Sequence, residues 1–289
     1  MDFFCIFKRL VETTVMTKPI VSAAWLFSNL EDPNLIILDA SFKENQSNVK
    51  TDLKNIQIKG ARFFDIKNTF SDISNPLPNT VPSPEQFILE VRKLGVNKNS
   101  SIVVYDNLGL YSSPRAWWLF KLMGHQNVAV LDGGLPEWIS QKYPVEAIPK
   151  NPNYSIGDFE AEFDSELVKS KEQILENVYT KDAVLIDARA ENRFKAIDDE
   201  SRSGLRSGHI PGSINVPYTL LLQNGKFLPK EELVKVLKTD NRPLIFTCGS
   251  GVTACIDLIA YELIGKNPKS VYDGSWTEWG QLGNLPIEK

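Results

Sequence analysis

One series of short motifs occurs twice along the chain, and this duplication constrains the fold more than any other feature. In the first half the motifs are, in order, Leu38-Asp39-Ala40, Ile58-Lys59-Gly60, an apolar run ending at Asp106, Leu131-Asp132-Gly133 and Glu137-Trp138. In the second half they are Ile186-Asp187-Ala188, Ile210-Pro211-Gly212, an apolar run ending at Cys248, Tyr272-Asp273-Gly274 and Glu278-Trp279. Because the spacing within the two series agrees closely, the sequence predicts two copies of one domain.

Each half alternates short apolar runs with longer helical patterns. Such alternation is typical of β-α units around a buried parallel sheet. Ser83, followed by Pro84 and Gln86, predicts the start of a helix, and Gly265 predicts the end of another. We therefore predict an α/β protein with two tandem domains, each a parallel sheet flanked by helices.

Composition shifts set the predicted domain boundaries. A segment with Pro144, Pro149 and Pro152 and few apolar clusters reads as an extended linker. The predicted divisions are a disordered or targeting tail (1–16), an N-terminal domain without catalytic function (17–143), the linker (144–163) and a catalytic C-terminal domain (164–289). Met16 offers a second start, so the tail is interpreted either as an isoform extension or as an organelle signal.

Charge and composition exclude several classes of function. The 289 residues include 32 Lys and Arg against 36 Asp and Glu, so no basic excess favours nucleic acid as a partner. No run approaches the roughly 18 apolar residues that would span a membrane, and we expect no membrane association. Three cysteines and two histidines predict neither a disulfide framework nor a metal site. We expect no cofactor and a reducing compartment, the cytoplasm, with the mitochondrion as the alternative.

The segment that begins at Cys248 carries the chemistry. A cysteine at the end of a buried strand, followed by a Gly-rich turn into a helix, has backbone N–H groups around its sulfur. Such a cradle holds an anion and favours the thiolate, which is the reactive form of cysteine. The alternative interpretation of Cys248 is a small buried core residue. For Cys255, seven positions later, the core interpretation is favoured.

The two halves differ at this position, because the first has Asp106 where the second has Cys248. Ligands of parallel sheets bind at the carboxyl ends of the strands. We therefore predict that only the second half is catalytic, and we interpret Asp106 and Arg115 as a structural pair.

The loop Cys248-Gly249-Ser250-Gly251-Val252-Thr253-Ala254 resembles that of the two-domain rhodanese family, and within it the members that act on 3-mercaptopyruvate. The resemblance extends over residues 20–285 and includes Gly208-His209-Ile210-Pro211-Gly212, Phe63-Phe64-Asp65 and Tyr272-Asp273-Gly274-Ser275-Trp276. It implies a sulfurtransferase that moves sulfane sulfur from 3-mercaptopyruvate through a Cys248 persulfide and releases pyruvate. The implied acceptor is thioredoxin, a small thiol or cyanide. Thiosulfate-using members carry basic residues after the cysteine, whereas Gly249 and Ser250 are small and neutral.

The resemblance also implies roles for individual residues. The implied catalytic residues are Cys248, Ser250 and Asp65, the last two as a proton relay, and the implied substrate-binding residues are Arg193, Arg202, Gly249, Gly251, Val252 and Thr253. Arg206 is an alternative carboxylate ligand, and Arg189 is interpreted as part of an internal ion pair with Asp187. Two features depart from the family: Gln57-Ile58-Lys59-Gly60 replaces His-Ile-Pro-Gly, and 74–82 lacks a histidine found in some relatives.

Other functions fit less well. A cysteine phosphatase needs an arginine six residues after the cysteine, where this chain has Ala254, or seven residues after it in the longer loop, where it has Cys255. A cysteine protease needs a histidine base, and His209 is interpreted as structural. The alternatives that stay open are a thiosulfate:cyanide sulfurtransferase and a non-catalytic sulfur-carrier or regulatory module.

Overall fold

The computed structural model describes residues 16–43, 51–237, 241–265, 267–281 and 283–289. The predicted tail of residues 1–16 lies outside this part of the chain except for Met16. Two five-stranded parallel sheets form the framework, one in each half of the sequence. No helix in these ranges is long and apolar enough to cross a membrane.

In the described part of the first domain there are seven strands and four helices. The strands are β1 (Ile20–Val21), β2 (Leu35–Asp39), β3 (Ile56–Ile58), β4 (Arg62–Phe63), β5 (Ser101–Tyr105), β6 (Val128–Leu131) and β7 (Val145–Ala147). The helices are α1 (Ala23–Ser28), α2 (Pro84–Lys93), α3 (Ser113–Leu122) and α4 (Gly134–Ser140). The parallel sheet has the order β1-β6-β5-β2-β4, and β3 pairs with β7 in a separate antiparallel ribbon. The predicted linker thus contributes one strand that pairs back onto the first domain.

The second domain repeats this arrangement. Its strands are β8 (Val168–Lys169), β9 (Val184–Asp187), β10 (Ile214–Asn215), β11 (Leu222–Gln223), β12 (Lys226–Phe227), β13 (Leu244–Thr247) and β14 (Lys269–Tyr272). Its α-helices are α5 (Lys171–Thr180), α6 (Glu191–Phe194), α7 (Lys230–Val236), α8 (Ala254–Ile264) and α9 (Ser275–Trp279), with short 3-10 helices at Ser165–Leu167 and Tyr218–Leu221. The sheet order β10-β9-β13-β14-β8 is that of the first domain read from the other edge. The predicted fold and duplication are confirmed.

The duplication extends to single hydrogen bonds. Trp138 and Trp279, which end the two motif series, are both fully buried. Their indole N–H groups donate to the carbonyls of Pro144 at 2.9 Å and Pro286 at 2.8 Å. Each tryptophan therefore anchors the segment that follows its helix.

Both sequence signals for helix ends are confirmed. The Ser83 hydroxyl caps α2 by accepting the N–H of Gln86 at 3.2 Å, and Pro84 is the first helical residue. Gly265 follows the last residue of α8. The Gln86 side chain does not complete a capping box, because it donates instead to the carbonyls of Thr69 and Ser71, both at 2.9 Å. It thereby ties α2 to the loop that precedes it.

The two domains share one apolar core. Helix α3 of the first domain packs against α8 of the second, and one cluster of buried side chains continues through both. Trp118 and Phe120 belong to it from α3, and Leu258 and Ile259 belong to it from α8. Because α8 begins just after the cysteine loop, this packing places the start of α3 beside that loop.

Candidate active site

Cys248 lies directly after β13, and α8 begins at Ala254. The loop between them turns sharply, with Gly251 at a φ of +74° that favours glycine. The Cys248 side chain is buried and only 2% exposed. Among the residues with described positions, no acceptor faces the backbone N–H groups of 249–253. Buried or half-buried N–H groups without acceptors form a cradle for an anion.

The first domain shows what its own version of this cradle binds. The carboxylate of Asp106, at the position equivalent to Cys248, accepts the backbone N–H groups of Leu108, Tyr111, Ser112 and Ser113 at 2.9–3.0 Å. It also accepts the Ser113 hydroxyl at 2.7 Å. In the first domain the Asp106 carboxylate therefore occupies the loop. In the second domain the thiol of Cys248 stands at the corresponding position.

The interpretation of Asp106 and Arg115 as a structural pair is wrong. Arg115 is completely buried and crosses to the second domain, where its Nη2 donates to Asp273 Oδ1 at 2.7 Å. Its Nη1 donates to the carbonyl of Gly251 at 3.2 Å. The sequence spacing suggested a local pair, but the backbone N–H groups already satisfy Asp106.

Two predicted substrate ligands, Arg193 and Arg202, lie over the cysteine loop. A methyl group placed on Gly249 would lie 3.5 Å from Nη2 of Arg193 and 3.9 Å from Nη1 of Arg202. Arg202 also donates through Nη1 to the Thr277 hydroxyl at 3.1 Å and through Nη2 to the Ser250 hydroxyl at 3.4 Å. The structure thus brings together both arginines, Cys248 and Ser250.

The charges of the two arginines are not balanced within the site. Arg193 pairs with Glu200, but its buried Nε has no acceptor. Arg202 forms no ion pair with any residue whose position is described. Burial lowers the pKa of Arg202, and the neighbouring charge of Arg193 lowers it further, against the opposing effect of Cys248. Two adjacent guanidinium groups, of which only Arg193 is paired with a carboxylate in the described structure, can bind the carboxylate of a ligand.

The other two arginines singled out near this site, Arg189 and Arg206, are structural. Arg189 pairs with Asp187 and with Glu200, both at 2.7 Å and both almost fully buried, which confirms the predicted internal ion pair. Arg206 donates to three backbone carbonyls, those of Trp279, Gly280 and Leu285. The alternative that placed Arg206 among the substrate ligands is wrong, because these carbonyls hold its guanidinium in place.

Asn79 is a neighbour of Ser250 that the sequence did not single out. Its Nδ2 donates to the Ser250 hydroxyl at 3.1 Å across the domain interface. Asn79 is nearly buried and has a φ of +61°, a conformation that asparagine tolerates better than most residues. It lies in the segment 74–82, which lacks a histidine that some members of the family have there. In the sequence, its position in a Pro-rich loop was the one signal that could have pointed to Asn79.

Asp65 does not meet Ser250 in this arrangement. Its Oδ1 accepts the backbone N–H of Asn68 at 3.1 Å, and its two oxygens accept the Asn68 amide at 3.2 and 3.0 Å. No hydrogen bond joins Asp65 to the cysteine loop within the described ranges. The proton-relay role of Asp65 stays a prediction.

Two tyrosines, one from each domain, lie close enough to Cys248 for its charge to act on them. The rings of Tyr111 and Tyr218 are 6.4 Å apart and meet edge to face. Burial, followed by the charges of Tyr218 and Cys248, raises the pKa of Tyr111 to about 12. Burial and the charge of Cys248 also raise the pKa of Tyr218. Both hydroxyls are therefore neutral donors near the thiol, and no sequence pattern distinguished them.

A buried carboxyl group lies in the first turn of α8. Asp257 is fully buried, and neither of its oxygens has a hydrogen-bond donor in the described structure. Burial raises its pKa far above the usual range, and the charges of Cys248 and Asp187 act in the same direction. Burial therefore favours the protonated, neutral form of Asp257.

Two residues have the structural roles that the sequence suggested. Cys255 is fully buried in the core, its Sγ lies 3.5 Å from the carbonyl of Gly251, and burial raises the pKa of its thiol to about 12. His209 Nδ1 lies 2.9 Å from the carbonyl of Phe194, and the two rings stack at 3.7 Å. Across the ranges that the structure covers, no three His, Cys, Asp or Glu residues group as metal ligands would.

Residues 22–141 and 170–282 each match the family model described as the rhodanese-like domain. The chain is 39% identical over 296 residues to thiosulfate/3-mercaptopyruvate sulfurtransferase 2 of Arabidopsis thaliana, covering 93% of this chain and 86% of the relative. It is 38% identical over 279 residues to the 3-mercaptopyruvate sulfurtransferase of Escherichia coli K12, covering 93% and 97%. A crystal structure of a 3-mercaptopyruvate sulfotransferase from Escherichia coli superposes with a TM-score of 0.79 at 37% identity, over 90% of this chain and 99% of that one.

Proposed function

Because this chain belongs to the rhodanese family, with two rhodanese-like domains, we propose that it transfers sulfur from 3-mercaptopyruvate to an acceptor through a persulfide on Cys248. The observation that carries the proposal is the placement of one buried thiol in a cradle of N–H groups, with Arg193 and Arg202 above it. The thiol supplies a nucleophile, the cradle accepts negative charge on sulfur, and the arginines fit a carboxylate.

In the first half-reaction, the Cys248 thiolate attacks the sulfur of 3-mercaptopyruvate. The new S–S bond forms as the bond between sulfur and the substrate's C3 breaks, and the electron pair of that bond leaves with carbon as the enolate of pyruvate. The substrate's thiol proton stays on the persulfide until it ionises. One further proton, taken up at C3, converts the enolate to pyruvate. The N–H groups of 249–253 stabilise the charge on the persulfide.

Ser250 is suited to deliver that proton. Its oxygen accepts hydrogen bonds from Arg202 Nη2 at 3.4 Å and from Asn79 Nδ2 at 3.1 Å. A hydroxyl has two acceptor positions and one hydrogen to donate. With both acceptor positions used, the Ser250 hydrogen is available to the substrate, and the alkoxide left by its transfer takes a proton back from solvent. Asp65 would complete the predicted relay if the loop that carries it approached Ser250.

The two arginines would bind the substrate's carboxylate and orient its ketone. Arg202 forms no ion pair within the described chain, and Arg193 has an unused buried Nε. Gly249 leaves the space between the guanidinium groups and the loop open, since it has no side chain. Gly251, Val252 and Thr253 would contact the transferred sulfur through their backbone N–H groups.

In the second half-reaction an acceptor thiolate or cyanide attacks the outer persulfide sulfur, and the Cys248 thiolate leaves. We propose thioredoxin or a small thiol as the acceptor. A reducing compartment keeps both thiols reduced, which agrees with the cytoplasm or the mitochondrion as the place of action.

The proposal is tested with purified protein, 3-mercaptopyruvate or thiosulfate, and a thiol acceptor. We expect pyruvate release and a gain of about 32 Da on Cys248, one sulfur atom, which Cys248→Ser abolishes without unfolding the protein. Cys255→Ser is the matched control and should keep both signals. A mass gain with thiosulfate alone would change the substrate, and no gain with either compound would favour the carrier or regulatory module.

A further inference from the structure

The carbonyl groups of the cysteine loop are anchored one by one. Within the second domain, the carbonyl of Cys248 accepts the N–H of Trp276 at 3.0 Å, and that of Gly249 accepts the N–H of Thr277 at 2.9 Å. Both donors belong to α9. The first half of the loop is therefore held by the domain that contains the cysteine.

The second half of the loop is held from the first domain. The carbonyl of Ser250 lies 3.5 Å from the Asn79 amide, which also donates to the Ser250 hydroxyl. The carbonyl of Gly251 accepts Nη1 of Arg115 at 3.2 Å. Both donors are distant from the loop in sequence. Asn79 is 171 positions from Ser250, and Arg115 is 136 positions from Gly251.

Anchoring a carbonyl also fixes the direction of the next N–H group. A peptide unit is planar, and in its trans form the C=O and N–H bonds point in opposite directions. The peptides of the loop are trans. Holding the carbonyls of Ser250 and Gly251 on one side therefore directs the N–H groups of Gly251 and Val252 to the opposite side.

Arg115 is itself held rigidly. Its guanidinium is completely buried and donates through Nη2 to the carbonyl of Asn79 at 2.6 Å and to Asp273 Oδ1 at 2.7 Å. The second oxygen of Asp273 accepts the N–H of Val81 at 2.8 Å. The ring of Trp118 lies 4.5 Å from the guanidinium carbon. One network thus connects α3, the segment around Asn79 and the cysteine loop.

We propose that Arg115 and Asn79 are positioning residues through which the first domain completes the active site of the second. They fix two loop carbonyls and so aim the N–H groups of Gly251 and Val252 at the negative charge on Cys248. The first domain, which has Asp106 in place of a cysteine, is on this account part of the catalytic unit. The inference rests on the proposed function only in taking a Cys248 persulfide as the group that is stabilised during turnover. The same N–H groups should also stabilise the Cys248 thiolate in the absence of any substrate.

The test measures the reactivity of Cys248 in the full-length protein against pH, with iodoacetamide as the probe and mass spectrometry to locate the modification. We expect Arg115→Met to move the midpoint of alkylation upward by about one pH unit and to slow alkylation at neutral pH about tenfold, since less thiolate forms. Asn79→Ala should shift the midpoint in the same direction. Arg115→Lys should recover part of the effect, because it restores a cationic donor.

Arg92→Met is the matched control. Arg92 also lies in the first domain and donates to a backbone carbonyl, that of Phe159 at 2.8 Å, and its removal should leave the alkylation midpoint unchanged. Circular dichroism at the assay temperature verifies that each variant is folded. If Arg115→Met does not fold, Asn79→Ala and Arg115→Lys decide the question. Folded variants with the wild-type alkylation profile would overturn the proposal.

Turnover measured in parallel separates this inference from the proposed function. If 3-mercaptopyruvate is the substrate, kcat should fall roughly ten- to a hundredfold in Arg115→Met, as expected for misdirected oxyanion-type donors, with little change in KM. A shifted alkylation midpoint in a protein that releases no pyruvate would support the positioning role and reject the substrate.

Discussion

Asp106 and Cys248 occupy the same place in the two domains, one residue beyond the matching strands β5 and β13. The carboxylate of Asp106 accepts four backbone N–H groups and one hydroxyl. The loop after Cys248 has N–H groups without acceptors among the described residues. The first domain thus displays, with its own side chain, the kind of anion that we propose forms on sulfur in the second.

The first prediction concerns the stability that Asp106 supplies. Asp106→Asn preserves the size of the side chain but leaves one acceptor oxygen and no charge for five donors. We expect the free energy of unfolding to fall by about 2–4 kcal/mol, because hydrogen bonds to a charged group are each worth about 1.5–3 kcal/mol. Denaturation in urea measures the loss. Asp198→Asn, at an exposed position, is the control, and a loss no larger than that of the control would contradict the prediction.

The second prediction separates substrate binding from structure. Arg202→Met removes a guanidinium that forms no ion pair with the described residues, so the folded protein should lose little stability. The substrate carboxylate, by contrast, loses a cationic partner. We expect KM for 3-mercaptopyruvate to rise at least about tenfold, since a charge-assisted hydrogen bond is worth about 1.5–3 kcal/mol. KM for the acceptor should change much less.

Arg206→Met provides the contrast for this experiment. Because its guanidinium binds three backbone carbonyls, the change should lower stability and leave KM for 3-mercaptopyruvate near the wild-type value. Steady-state kinetics at several substrate concentrations distinguish the two variants. Equal effects of Arg202→Met on both substrates would remove Arg202 from the carboxylate site.

The third prediction follows from the buried carboxyl of Asp257. Burial raises its pKa in the folded protein above the unfolded value of 3.8. Below that value both states are protonated, and as the pH rises only the unfolded state releases the proton. Asp257 therefore lowers the free energy of unfolding above about pH 4. This loss grows with pH until the pH reaches the pKa of Asp257 in the folded state.

Asp257→Asn removes this titration and keeps a neutral polar side chain. We expect the variant and the wild type to be about equally stable near pH 4. With rising pH the variant should become the more stable, by up to about 1.4 kcal/mol for each pH unit. Urea denaturation of both proteins between pH 4 and pH 8 measures the difference. Parallel stability profiles would mean that Asp257 is already ionised in the folded protein.

The fourth prediction tests how closely the cysteine loop is packed. At Gly251, φ is +74°, and an added Cβ would lie 3.0 Å from the carbonyl oxygen of Asp273 and 3.1 Å from Arg115 Nη1. We expect Gly251→Ala to displace the loop and to slow alkylation and turnover at least tenfold, the loss expected for one misplaced donor. Gly204→Ala shares a positive φ of +83° but meets no neighbouring atom. It should lower stability slightly and leave Cys248 reactivity unchanged, so similar kinetic losses in both variants would contradict the prediction.

Much of this arrangement follows from local features of the sequence. The repeated motifs predict two equivalent domains, the apolar runs predict their strands, and the position of Cys248 after such a run predicts a thiol at the carboxyl edge of a parallel sheet. Ser83 and Gly265 predict helix ends for the same reason, since caps involve residues within one turn of each other. These features depend on neighbours in sequence, which a single chain displays directly.

The tertiary structure alone decided which residues surround the thiol. Arg115 and Asp273 are 158 positions apart, and Asn79 and Ser250 are 171 apart, so no periodicity links them. They meet because α3 packs against α8 and brings the first domain against the loop of the second. The same packing brings Arg115 to Gly251 and Asp273 of the second domain. Sequence by itself determined the fold and the position of the proposed nucleophile, because both are encoded locally. The residues that surround Cys248 depend on how two separately encoded domains share one core.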